Sequence, residues 1–132
     1  MYLSIIILTL ILDFIWLYLN ANMYRKLVRK IQGTELKVNY LGALLSYLCL
    51  ILALFIFVFP LVKNEYEKNK KQSLIILAIK IGGLLGLLMY GMFNATNIGI
   101  FKNYYYKSAI IDTLWGIFLF SFITYIYLIF LQ

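Results

Sequence analysis

The sequence predicts an all-α integral membrane protein: an antiparallel four-helix bundle with a short amphipathic interfacial helix between spans 1 and 2. Three observations carry that reading. Four apolar runs, residues 2–21, 40–62, 74–97 and 108–131, each approach the ~20 residues needed to cross a ~30 Å hydrocarbon core. Hydrophobic residues make up 64% of the chain and charged residues 13%, against about 45–50% and about 25% in soluble domains. The charges lie almost wholly between the runs. At 132 residues the chain is expected to form a single transmembrane domain, residues 1–132, with no separate soluble module.

Span 1 has no basic leader before it, Asp13 interrupts it, and no clean small-x-small site follows, so a retained span is expected rather than a cleaved signal. Connection 1, residues 22–39, sets Arg25, Lys26, Arg29, Lys30 and Lys37 against Glu35. Tyr24, Leu27, Val28 and Ile31 recur there at helical spacing. This predicts an amphipathic helix lying in the headgroup region, ended by Gly33, with Arg25, Lys26, Arg29 and Lys30 contacting lipid headgroups. Span 2 carries Pro60 near its end, where it helps to stop or kink the helix.

Connection 2, residues 63–73, is polar. Span 3 contains Gly82-x-x-x-Gly86, a spacing that permits close helix approach. Its Lys80 is expected to snorkel to the headgroups on the side of connection 2. Connection 3 runs Phe101 to Lys107 and mixes tyrosines with lysines, as membrane interfaces do. Connections 1 and 3 share seven basic residues and connection 2 has four, which favours connections 1 and 3 in the cytoplasm and the termini opposite.

The least ordinary feature is a repeated motif. Asp13 precedes Trp16 in span 1, and Asp112 precedes Trp115 in span 4, each by three residues. A carboxylate at the membrane centre costs roughly 2.5–3.5 kcal/mol even on translocon-insertion scales. Spans 1 and 4 run in opposite directions, so Asp13 falls near the level of Trp115 and Asp112 near that of Trp16. An indole N–H is a donor only and a carboxylate a ready acceptor, so two reciprocal Trp–Asp bonds are expected if these spans pack together. Tyr90, Asn94 and Asn97 lie on one face of span 3 in the same half of the membrane. The candidate polar cluster is therefore Asp13, Trp16, Tyr90, Asn94, Asn97, Asp112 and Trp115.

The chain has no histidine, which removes the commonest general base and the usual zinc ligands. Its one cysteine, Cys49, can form no disulfide within the chain. No metal, cofactor or catalytic residue is expected. The net charge of +7 is read as membrane topology and lipid contact, and nucleic acid is not an expected partner.

Asp13, Trp16 and Leu17, then Tyr24-Arg25-Lys26, then Tyr90-Gly91 with Asn94, Thr96 and Asn97, and finally Asp112, Trp115 and Gly116 form an ordered set over nearly the whole chain. This set resembles an uncharacterised family of small predicted membrane proteins of bacteria and some large DNA viruses. The resemblance implies four spans and brings no established activity, substrate or catalytic residue.

Three roles follow from the residues. In the first, which is favoured, the cluster is interhelical glue in a structural, assembly or partner-binding protein. In the second, Asp13 and Asp112 bind a proton or cation in a small transporter, since carboxyl groups in apolar surroundings can exchange protons near neutral pH. A chain this short is then expected to need a homo-oligomer to enclose a path. The third is an enzyme acting on a lipid, disfavoured because the chain lacks a nucleophile motif or metal cluster.

Overall fold

A computed structural model describes residues 1–132. The chain is helical, without strands, in five pieces: α1 (Tyr2–Leu19), α2 (Ala21–Gln32), α3 (Tyr40–Lys68), α4 (Leu74–Ile100) and α5 (Tyr106–Leu131). Four of them, α1, α3, α4 and α5, are long and apolar enough to cross a membrane. The end of the bundle that carries α2 and the α4–α5 connection is called the near face. The opposite end, with residues 1 and 132 and the α3–α4 connection, is the far face.

Several ends overrun the apolar runs. α3 continues six residues past 62, through Lys63-Asn64-Glu65-Tyr66-Glu67-Lys68. Hydropathy marks only the part that must sit in hydrocarbon, whereas backbone hydrogen bonding carries a helix on into water. At 29 residues α3 is about 43 Å long, well beyond a ~30 Å core. Asn39 and Ser73 start α3 and α4 by accepting from the backbone N–H groups of Gly42 and Ile76.

Pro60 does not stop α3. A wide π-helical turn over Ala53–Val58 precedes it, with the Phe59 N–H bonded five residues back to the Leu54 carbonyl. The wide turn absorbs the missing proline donor and the clash of its ring with the preceding turn. A second wide turn, Ile79–Gly83, lies in α4.

α5 is the central helix. α4 lies along its full length, α1 crosses it antiparallel, and the far-face half of α3 packs beside it. Gly86 and Gly116 let α4 and α5 approach: a Cβ on Gly86 would strike the Gly116 backbone, and one on Gly116 would strike the Tyr90 ring. Small residues are what permit such contact between helices in lipid, where dispersion replaces the hydrophobic drive. Toward the far face, Leu54, Val58, Val62, Leu119, Phe120, Ile123 and Leu128 form a fully enclosed layer. Tyr127 joins it, stacked on Phe59 with ring centroids 4.1 Å apart. Toward the near face, residues Tyr40–Leu52 of α3 leave α5, and the bundle opens.

α1 ends in a sharp turn at Asn20, where φ is −103° and ψ 12°, and α2 sets off in a new direction. Gly33 ends α2 with φ +73°, the left-handed conformation that glycine adopts without a Cβ penalty. α2 is amphipathic, but its apolar face is not turned to lipid. Tyr24, Leu27, Val28 and Ile31 face the opening between α1, α3 and α5, and Leu27 is buried. The helix is a roof over the near-face half of the bundle, because the splayed α3 leaves apolar surface there that lipid headgroups cannot cover.

Candidate functional site

The near-face half holds a network built from four helices and one connection. α5 presents Trp115, whose Nε1 donates to Asp13 Oδ1 on α1 at 2.9 Å. The rings of Trp16 and Trp115 stack face to face, centroids 4.6 Å apart and planes 1° from parallel. The expected second Trp–Asp bond is replaced by a relay. Trp16 Nε1 donates to the Tyr24 hydroxyl at 2.9 Å, and that hydroxyl donates to Asp112 Oδ1 at 2.6 Å. The stacked indoles hold Trp16 away from Asp112, and the phenol from α2 fills the gap. Burial, together with the bond it gives Asp112, pushes the Tyr24 phenol above its ordinary value, so it remains a donor.

Asn94 completes the Asp112 site. Its Nδ2 donates to Asp112 Oδ2 at 2.8 Å and to the Tyr90 carbonyl at 2.9 Å, and its Oδ1 accepts from the Tyr104 hydroxyl at 2.9 Å. With 2% of its surface exposed, Asn94 is a buried amide with both ends satisfied, as a buried polar group requires. Tyr90 packs its ring on Gly116 and edge-on to Phe120. Asn97 lines the same opening without joining the chain of bonds between Asp112 and Trp16. All seven residues of the sequence-derived cluster thus lie in one half of one bundle.

Three tyrosines enlarge it. Tyr24 reads in the sequence as part of an apolar helical face, Tyr104 as an interface residue, and Tyr47 as one of several polar groups near the start of span 2. Tyr24 follows the end of α1 by five residues, and the turn at Asn20 brings its hydroxyl back to Trp16, which spacing along the chain does not signal. The phenols of Tyr47 and Tyr90 face the Asp13 carboxylate.

These side chains wall a cleft of about 880 Å³ that reaches from α2 down to Asp13. Its lining is mostly apolar, with Asp13, Asp112, Asn97, Gln32, Ser46 and several phenols as the polar groups. Cys49 lines it as well. A few polar groups fixed in an apolar concavity of this size are what small-molecule sites have in common. No three His, Cys, Asp or Glu side chains come together in the chain.

The cations of α2 point the other way. Arg25, Lys26, Arg29 and Lys30 are all exposed. Arg29 pairs loosely with Glu35 at 3.6 Å, and Lys30 lies 4.3 Å from the centre of the Tyr105 ring. Lys80 is exposed near the far face, on the side of Glu65 and remote from both aspartates.

Fold and site together define a class: a small integral membrane protein of four spans, with a roofed polar cleft in one half. The chain belongs to the DUF2177 family of predicted membrane proteins, whose family model matches residues 1–129. No curated protein and no solved structure matches it.

Proposed function

We propose that this is a membrane-embedded binding protein, holding an amphiphilic small molecule in the near-face leaflet. This goes beyond the structural, assembly or partner-binding role expected from the sequence, which placed no small molecule among these residues. The observation that carries it is the 880 Å³ cleft beneath α2, with two carboxylates at its polar end. Interhelical glue alone does not require a cavity. Bonds between spans average near 0.6 kcal/mol, and a network that served only to hold helices would gain more by closing the space with side chains.

The transporter reading meets the enclosed layer of Leu119, Phe120, Ile123 and Leu128, which blocks a path to the far face through one chain. An exchange confined to the near-face leaflet meets no such obstacle. We further propose that the near face is cytoplasmic. Seven of the twelve basic residues lie on that side, in α2, its following loop, the α4–α5 connection and the first turn of α5, against five toward the far face including Lys80.

The test is native mass spectrometry of protein extracted gently from its membrane. Wild type is expected to carry a retained amphiphile that is lost from Ala43→Trp, where an indole fills the cleft. Equal retention by both folded proteins, or retention by neither, would sink the reading.

A further inference from the structure

The two carboxylates of the cleft are not equivalent. Both oxygens of Asp112 are engaged, Oδ1 by Tyr24 and Oδ2 by Asn94. Asp13 accepts from Trp115 at Oδ1, and on its cleft side it meets only the phenols of Tyr47 and Tyr90. Asp13 is only 7% exposed, and what it exposes lines the cleft. No lysine or arginine is among the 21 residues lining that space, and 16 of them are hydrophobic. A buried carboxyl that meets only phenols on its open side, in an apolar chamber without a cation, is stabilised as the carboxylate by a positive charge brought beside it.

A second depression lies beside the cleft. On the outer side of α1, between it and α3, Leu10, Ile11, Phe14 and Ile15 form a wholly apolar groove of about 410 Å³. Tyr47 lines both this groove and the cleft. Its phenol faces Asp13, so one side chain stands at the passage from the carboxylate to the lipid-facing surface.

Resting on the binding reading above, we propose that the ligand is a cationic amphiphile. Its ammonium or guanidinium head sits against the Asp13 carboxylate, and its alkyl chain leaves past Tyr47 along the α1–α3 groove into the leaflet. Tyr47 supplies a ring face to the chain and a hydroxyl toward the head. Asp112 holds the roof in place through Tyr24, and Asp13 holds the ligand.

The experiment uses full-length protein in phosphatidylcholine nanodiscs and three photoactivatable probes. They share one diazirine-bearing alkyl chain and differ in the head: trimethylammonium, hydroxyl or sulfonate. Cross-links are mapped by peptide mass spectrometry and normalised to the exposed surface around Leu88 and Met92. The ammonium probe is expected to label the peptides around Leu10–Ile15 and Tyr47 at least tenfold more than the sulfonate. Asp13→Asn, which retains an acceptor for Trp115, is expected to erase that preference and leave labelling by the alcohol unchanged. If Asp13→Asn does not fold, the three-probe comparison in wild type decides alone. Equal labelling by all three heads would overturn the cationic assignment and leave the cleft as a binding site. Absence of labelling at α1 and α3 by every probe would overturn both.

Discussion

The two halves of the bundle solve the same problem by different means. In the far half the helices are held by shape. Gly82 lies against Thr124 and the Phe120 carbonyl, Gly83 against Ser121, and the aromatic rings of Tyr2, Phe55, Phe59 and Tyr127 fill the remaining space. Thr9, Ser121 and Thr124 there are satisfied within their own helices, bonding the carbonyls of Ile5, Ile117 and Phe120. Back-bonding of this kind hides a polar group without linking two spans. In the near half the links run between helices, from Trp115 to Asp13, from Tyr24 to Asp112 and from Asn94 to Asp112. Close packing leaves no room, whereas directional bonds fix register across a distance and allow an open volume between them. The far half is the scaffold and the near half is the chamber.

The contrast can be broken from either side. The largest effect is expected from Gly86→Leu in the scaffold. Its side chain has only the Gly116 backbone to meet, so α4 and α5 must separate, at a cost of about 3 kcal/mol, the upper end of overpacking. Thermal unfolding in detergent should show a lower midpoint, and a midpoint unchanged from wild type would mean that the helices do not touch there.

In the chamber, Asn94→Leu removes the donor to Asp112 Oδ2 and the acceptor for Tyr104 together. A loss of roughly 2 kcal/mol is expected, the cost of leaving buried polar groups unmatched. Asp112→Asn, which keeps an acceptor for Tyr24, should cost less. The reverse order in the same melts would show that charge, and not bonding, matters at this site.

Trp115→Phe keeps an aromatic ring for the stack on Trp16 and loses one bond to Asp13. The expected cost is about 0.6 kcal/mol and no more than about 1.7 kcal/mol, the range measured for bonds between spans. Tyr24→Phe sharpens the comparison with a stability cost of the same order, spread over the bond from Trp16 and the bond to Asp112. It frees the roof without touching the scaffold, so hydrogen exchange of the α2 backbone amides should accelerate several-fold relative to wild type. A rate equal to wild type would show that α2 stays closed without the Asp112 bond.

Much of the scaffold was legible in the sequence because hydrocarbon imposes it. A segment that crosses lipid must satisfy its backbone internally and show apolar side chains around it, so span number follows from composition alone. Asp13, Asp112, Asn94 and Asn97 stood out for the converse reason: a carboxylate or amide inside an apolar run is costly and therefore conspicuous, and Trp16, Trp115 and Tyr90 were picked out by their spacing from them. The antiparallel order of spans 1 and 4 even placed Trp115 beside Asp13 by depth. What depth could not supply was azimuth and tilt. These put the indoles face to face and moved Trp16 onto Tyr24, and they turned the apolar face of α2 inward to the protein instead of outward to lipid.

By itself, then, the sequence determined that this chain spans a membrane four times, where its polar residues fall in depth, and where α2 ends. Each of these depends on one residue or one run against a uniform solvent. Only the tertiary structure decided that α3 survives Pro60 and splays from α5, that Tyr24 bridges the two Asp–Trp motifs, and that a cleft opens above Asp13. Those outcomes depend on which side chains meet across helices, and a lipid-facing and a protein-facing apolar residue are chemically alike, so the pattern along the chain cannot tell them apart.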